Sequence, residues 1–324
     1  MQETLMQLDQ IRLNFSTEGR QLLNLTIAFL MFGVALELKV ADFVKLFKQP
    51  KSAFVGIISQ FILMPLLTFL LALSVRDYIT PTVGLGMILV AACPGGNISN
   101  FLSSLSKGNV ALSVSLTAFS SFAALILTPL NFSIWGGLFL KFYTNNTGLI
   151  IPGLEIDLLS VLETIIILLG IPLILGILFS TKFPKTTAKI LITIKRVSIL
   201  SFFGMVVVIF SKNYDYFILY IQYIFLIVLV HNALALATGY YAAKWAGLNL
   251  QDRKTISIET GIQNSGLALA LLFNPRIFPE SIPVGGMAFI AAWWGVWHIL
   301  SGLTIAGIWT GFSLKSAKPA DTSN

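Results

Sequence analysis

Residues 256–266 read ISIETGIQNSG and gather an acid (Glu259), two amides (Gln263, Asn264), two hydroxyls (Thr260, Ser265) and two glycines (Gly261, Gly266) within one turn-rich stretch. These groups can hold a proton or a small cation, and the glycines loosen the helix that presents them. The surrounding chain is apolar, so the acid lies at membrane depth. There a lone charged side chain costs roughly 2.5–3.5 kcal/mol on insertion scales. Open backbone is tolerated at that depth only where protein or a water-filled cavity covers it. A second stretch, CPGGNISN at 93–100, shares the vocabulary: Pro94 removes a helical hydrogen bond, Gly95 and Gly96 loosen the backbone, and Asn97, Ser99 and Asn100 follow. Two broken helices with an intramembrane acid point to a binding site near the bilayer midplane.

The elements that must position these groups follow from composition. Of the 324 residues, 56% are hydrophobic and 11% charged, against about 25% charged in a typical soluble domain. With a mean hydropathy of +0.85, the chain reads as an all-α polytopic membrane protein forming a single membrane domain, in contact with lipid. Nine transmembrane helices are expected, at approximately 21–38, 52–75, 79–106, 110–132, 156–180, 190–211, 217–243, 253–274 and 283–312. The third and eighth carry the breaks and run in opposite directions, which suggests an inverted-topology repeat with two discontinuous crossing helices and leaves the fifth span unpaired.

The net charge of +7 does not call for nucleic acid, because the basic residues fall at helix ends. Fifteen of the 21 lysines and arginines lie in one set of connections and six in the other. The richer side is expected in the cytoplasm, with the N-terminus outside and the C-terminus inside. The membrane is the plasma membrane, or the inner membrane in a bacterium. The first 20 residues carry Glu3, Asp9 and Glu18 and lack the pattern of a cleaved leader. One cysteine, Cys93, and two histidines leave no zinc-site pattern.

Other polar residues inside the spans admit two readings. Gln60 sits mid-span before Pro65, where an amide can serve as an interhelical hydrogen bond. Ser113 and Thr117 are one turn apart and share a helix face. His231 and His298 read as interior histidines, and Glu37 and Glu163 fall near span ends. No lysine or arginine lies near mid-bilayer in the expected spans, so a proton or a bound cation must neutralise Glu259. An intramembrane enzyme pairing Glu259 with a histidine lacks a nucleophile or metal set, and the chain is not expected to be an enzyme.

From about residue 28 to 312 the motifs MFGVALELK, SQFILMP, CPGGNISN, SKGNVALSVSLT, LVHNALA, AAKWAGL and ETGIQNSG follow one another. In order and spacing they resemble those of the bile acid:sodium symporter family. The resemblance implies a nine-helix member, like the animal bile acid transporters. It also implies a core domain at approximately 52–132 and 217–312 and a panel domain at approximately 21–38 and 156–211. It implies sodium-coupled symport of an organic anion, bile acid-like or another carboxylate or sulfonate, by alternating access. A proton-coupled or sodium-independent anion transporter is the alternative.

Carried over residue by residue, the resemblance implies two sodium sites. One uses Ser99, Asn100, Ser113, Thr117 and Glu259, and the other uses Gln60, Gln263 and Glu259 with the backbone carbonyls of Thr260 and Ile262. Asn97 and Asn264, with His298 and Ile299 on the last span, fall at the family's substrate positions. Ile299 stands where bacterial members often have an asparagine, so the ligand's polar head is expected to be held differently here. The substrate itself and the oligomeric state are left open by the sequence.

Overall fold

The computed structural model describes residues 2–9, 17–38, 49–96, 98–147, 156–279, 282 and 284–311. Among these the chain is helical, and its one extended pairing is a single bridge between Gly95 and Gln263. The helices are α1 (Gln2–Asp9), α2 (Thr17–Ala35), α3 (Pro50–Ser74), α4 (Pro81–Ala92), α5 (Ser99–Leu105) and α6 (Val110–Thr147). They continue with α7 (Leu158–Lys182), α8 (Pro184–Lys212), α9 (Tyr214–Trp245), α10 (Leu250–Gly261), α11 (Ser265–Leu272) and α12 (Gly285–Thr310). Five of them, α3, α6, α7, α9 and α12, are long and apolar enough to cross a membrane, and Gln21–Ala35 and Pro81–Ala92 are shorter apolar helices. Their outer faces carry large apolar side chains such as Phe54, Ile126, Leu178 and Leu226, as lipid contact requires. The protein is a multi-pass membrane protein.

The third and eighth expected spans are each two helices: α4 and α5 on either side of residues 93–98, and α10 and α11 on either side of residues 262–264. Every residue of α4 and of α11 is buried. α4 packs against α3, α6 and α12, and α11 against α12 and α2. α9 and α10 run in close contact at Gly239, where a Cβ would lie 2.4 Å from the Ile256 carbonyl oxygen, so only glycine fits. α2, α8 and the second half of α7 pack on one another.

Two helices contain a π-turn, at Ser59–Leu63 in α3 and Ile166–Gly170 in α7. Each is followed two residues on by a proline, Pro65 or Pro172. Proline cannot donate to the carbonyl four residues earlier and its ring crowds that carbonyl, so a wider turn relieves both problems. In α3 the carbonyl concerned is that of Phe61, and Asn131 Nδ2 donates to it at 3.1 Å. Gln60 therefore sits in a widened turn that tilts it off the regular helix path.

One expectation needs correction. The fourth span does not end at 132, because α6 continues through Pro129 to Thr147. Phe132, Phe139 and Tyr143 of that extension are buried in the main core, and Tyr143 Oη donates to the Ile79 carbonyl at 3.2 Å. The polar start forms α1, which buries Leu5 and Leu8 and packs against α12 and α9.

Candidate ion and substrate site at the crossing of two broken helices

α4 stops at Ala92 because Cys93 turns extended (φ −70°, ψ 157°) ahead of Pro94. α10 stops at Gly261, and Ile262 is likewise extended (φ −107°, ψ 97°). The two breaks then lie antiparallel. Gly96 N donates to the Ile262 carbonyl at 2.6 Å, and Asn264 N donates to the Pro94 carbonyl at 2.8 Å. The approach is close enough that a Cβ on Gly96 would lie 3.0 Å from the Gln263 carbonyl oxygen, and one on Gly95 would lie 3.2 Å from Glu259 Oε2. Backbone groups freed by the breaks thus satisfy each other inside the membrane, as buried amides must. A further carbonyl, that of Gly261, accepts from Asn232 Nδ2 of α9 at 2.8 Å.

Glu259, on the last full turn of α10, is 5% exposed. Ser113 and Thr117 approach it from α6, and Ser99 and Asn100 from α5. Ser113 Oγ lies 2.9 Å from Asn100 Oδ1 and 3.1 Å from Ser103 Oγ, and makes a very short contact with Glu259 Oε1. Thr117 Oγ1 lies 3.2 Å from Asn100 Oδ1 and 3.3 and 3.1 Å from the two Glu259 oxygens. Ser99 Oγ is 3.4 Å from Thr117 Oγ1. Ser99, Ser103, Ser113 and Thr117 own one hydroxyl proton each. Seven contacts among them, Asn100 Oδ1 and Glu259 share those four protons. The surplus contacts set oxygen lone pairs against one another, and a small cation among them removes that repulsion. Among the described residues Glu259 gains its polar contacts from hydroxyls, and the nearby Lys254 donates instead to the Ser106 carbonyl at 3.0 Å.

The amides behave differently. Gln60 Nε2 donates to the Cys93 carbonyl at 3.0 Å and to Gln263 Oε1 at 2.8 Å. Gln263 Nε2 donates to the Thr260 carbonyl at 2.7 Å and to Gln60 Oε1 at 3.4 Å. The Ile262 carbonyl already accepts from Gly96 N. Each carbonyl retains a second lone pair for another partner. Gln60, Glu259 and Ser120 line one small cavity with Gly56, Ile57, Phe61, Leu116 and Phe119, so the acid and the amide face a common space.

Of the residues expected at a substrate position, Asn97 lies outside the described residues. Asn264 caps α11, its Oδ1 accepting from Leu267 N at 3.0 Å. Among the described residues its Nδ2 meets Met31 Sδ of α2, at 3.9 Å, a weak acceptor. His298 is 6% exposed, its Nδ1 without a hydrogen-bond partner among the described residues, and Ile299 is half-buried beside it. His231 is held by Thr68 Oγ1 at 2.8 Å from its Nε2 and by Trp294, with ring centroids 4.7 Å apart, as an interior histidine should be. Glu163 pairs with Arg276 at 2.6 Å near the surface. Sequence reasoning missed Asn232, Ser103 and Ser120. The available signal was a lone amide beside His231 in an apolar helix and hydroxyls one turn from Ser99 and Thr117.

Residues 24–219 match the family model described as "Sodium Bile acid symporter family". The chain belongs to that family. Among its relatives, the "Uncharacterized sodium-dependent transporter YocS" of Bacillus subtilis is 31% identical over 301 residues, covering 92% of this chain and 86% of that protein. The "Probable sodium/metabolite cotransporter BASS2, chloroplastic" of Oryza sativa is 31% identical over 284 residues, covering 82% of this chain and 62% of that protein. The human "Ileal sodium/bile acid cotransporter" is 27% identical over 282 residues, 84% of this chain and 77% of that protein. The symporter family thus includes relatives named for transport in both bacteria and eukaryotes.

Proposed function

We propose that this member of the symporter family couples the inward movement of sodium to that of an organic anion by alternating access. The observation that carries the reading is the surplus of oxygen over protons at Glu259, at the crossing of two helix breaks. Sodium would enter as cargo. One ion would lodge among Ser99, Asn100, Ser113, Thr117 and Glu259. The second would engage Glu259, Gln60 and Gln263 with the carbonyls of Thr260 and Ile262. Bound there, the ions would tie α5, α6 and α10 together and fix the crossing that borders the substrate space.

The substrate's anionic head would meet the free Nδ2 of Asn264 and the neighbourhood of Asn97, with His298 and Ile299 bordering its apolar body. In this reading the chain crosses the membrane nine times as an inverted repeat, with its N-terminus outside and its C-terminus in the cytoplasm. α2, α7 and α8 form a panel that moves against a core built from the remaining spans. Two sodium ions with one monovalent anion carry one net positive charge inward, a step to which a membrane potential adds about 2.3 kcal/mol per 100 mV.

The test is uptake of candidate carboxylates and sulfonates into proteoliposomes with sodium or choline outside at constant pH. Uptake that requires sodium in the wild type and is lost in Glu259→Ala and Gln60→Ala supports the reading. Uptake undiminished in choline, or normal sodium dependence in both variants, overturns it.

A further inference from the structure

Two turns below the ion-binding groups, on the same three helices, a second buried carboxylate joins what Glu259 joins. Asp252 on α10 is 5% exposed and lies seven residues before Glu259. Its Oδ2 accepts from Ser52 Oγ at 2.7 Å, and Ser52 on α3 lies eight residues before Gln60. Its Oδ1 accepts from Asn109 Nδ2 at 2.8 Å, and Asn109 caps α6 four residues before Ser113 and eight before Thr117. Asn249 Nδ2 adds a third donor at 3.1 Å. Seven or eight residues is two helical turns, roughly 10–12 Å. Each helix therefore shows the same face to Asp252 at one level and to the Glu259 crossing at the next.

We propose that Asp252 is a positioning residue for the ion site, a buttress that sets the spacing of α3, α6 and α10 and thereby the reach of Gln60 toward Gln263 and Glu259. This rests on the sodium-coupled reading above. The bonds that remain without Asp252 explain why α3 depends on it most. α10 keeps other ties to the α5–α6 corner: Lys254 Nζ to the Ser106 carbonyl at 3.0 Å, and Thr255 Oγ1 to the Asn109 carbonyl at 3.2 Å. At this level the Ser52 hydroxyl is the direct side-chain bond from α3 to α10. Asn109 Nδ2 also donates to Gln49 Oε1 at 3.1 Å, which ties the cap of α3 to α6. Loss of the carboxylate therefore releases α3 from α10 and not from α6, and so shifts Gln60 relative to Gln263, while Ser113 and Thr117 stay against Glu259.

The experiment is thermal unfolding of the purified full chain in detergent, titrated with sodium chloride against choline chloride at fixed total salt. Ligand binding to the folded state raises the unfolding temperature with a midpoint set by its affinity. The expected result is a sodium response in the wild type, a midpoint about tenfold higher in Asp252→Asn, and a few-fold higher in Ser52→Ala, the size seen when an outer-shell partner of an ion ligand is removed. The double variant should match Asp252→Asn alone, because both changes break one bond. The unfolding temperature in choline separates this from general damage: a merely structural role lowers it and leaves the sodium midpoint in place. Ser52→Ala keeps the test decisive if Asp252→Asn does not fold. A wild type with no sodium response overturns the coupled reading and this proposal with it. A responding wild type whose midpoint Ser52→Ala and Asp252→Asn leave unchanged overturns the buttress alone.

Discussion

Two polar clusters share the helix crossing, and they differ in how many protons they bring. The hydroxyl cluster around Glu259 sets four hydroxyl protons against seven contacts. The amide cluster of Gln60 and Gln263 sets four N–H protons against four acceptors, with none left over. Oxygen-rich and proton-poor surroundings invite a cation, whereas matched amides close on themselves. The lesson is that residue type alone does not mark an ion site. All of these side chains carry oxygen, but only one set leaves it unsatisfied. On the proposed reading the hydroxyl cluster would bind sodium first, and the amide pair would have to open to complete a second site.

The largest effect belongs to the group that borders both clusters. Glu259→Gln keeps the shape and removes the charge, and breaking a buried charge pair costs about 3–5 kcal/mol. Sodium-dependent thermal stabilisation should therefore disappear across any practical salt range. A sodium midpoint within tenfold of the wild type would break the comparison at its root.

Next come the hydroxyls. Thr117→Val preserves volume and deletes the oxygen that faces both carboxylate oxygens and Asn100. A hydrogen-bonding partner of a charged group is worth about 1.5–3 kcal/mol, so sodium affinity should fall roughly tenfold to a hundredfold, and Ser113→Ala should behave alike. Gln60→Met should cost less at low sodium, about 0.5–1.5 kcal/mol, because the first ion does not use the amides. Its signature is a shallower sodium dependence of uptake, and in a double-mutant cycle with Gln263→Met it should couple by about 0.5–3 kcal/mol. Gln60→Met weakening the first ion as much as Thr117→Val would show that the two clusters bind as one.

Much of this site was legible in the chain because breaks are written in residue types. Pro94, Gly95 and Gly96 marked one, Gly261 beside Glu259 marked the other, and the four-residue spacing of Ser113 and Thr117 put both on one face. The self-pairing of the amides was not legible, since Gln60 and Gln263 are 203 residues apart and whether an amide meets another amide or an ion is a matter of packing. The same holds for Ser52 and Asp252, 200 residues apart. α6 was expected to end at about 132, just past Pro129 and Asn131. In the fold Asn131 is instead occupied with the Phe61 carbonyl, a group exposed by a proline in a different helix. α1 hid its amphipathic character behind polar neighbours, with Leu5 and Leu8 as its only long buried contacts among the described side chains.

α1 also supplies the sharpest control, a hydroxyl-ringed carboxylate that needs no cation. Asp9 is 6% exposed, and one of its oxygens, Oδ1, accepts from Thr80 Oγ1 at 2.9 Å and from Thr82 Oγ1 as well. Here two donors meet a single acceptor oxygen, the reverse of the balance at Glu259. Burial pushes the Asp9 carboxyl up from 3.8 to about 6, against the two threonine bonds that pull it down. A carboxyl raised in the folded state binds more protons there than in the unfolded chain. The docking of α1 is therefore strongest below about pH 4 and weakens as pH rises through about 6. Amide hydrogen exchange over residues 2–9, corrected for intrinsic rates, should show more protection at pH 5 than at pH 7.5, and Asp9→Asn should remove the difference. Exchanging sodium for choline should leave that protection unchanged. Sodium-sensitive protection of α1 would mean that a ring of hydroxyls around a carboxylate suffices to attract the ion, and the surplus of acceptors at Glu259 would lose its explanatory role.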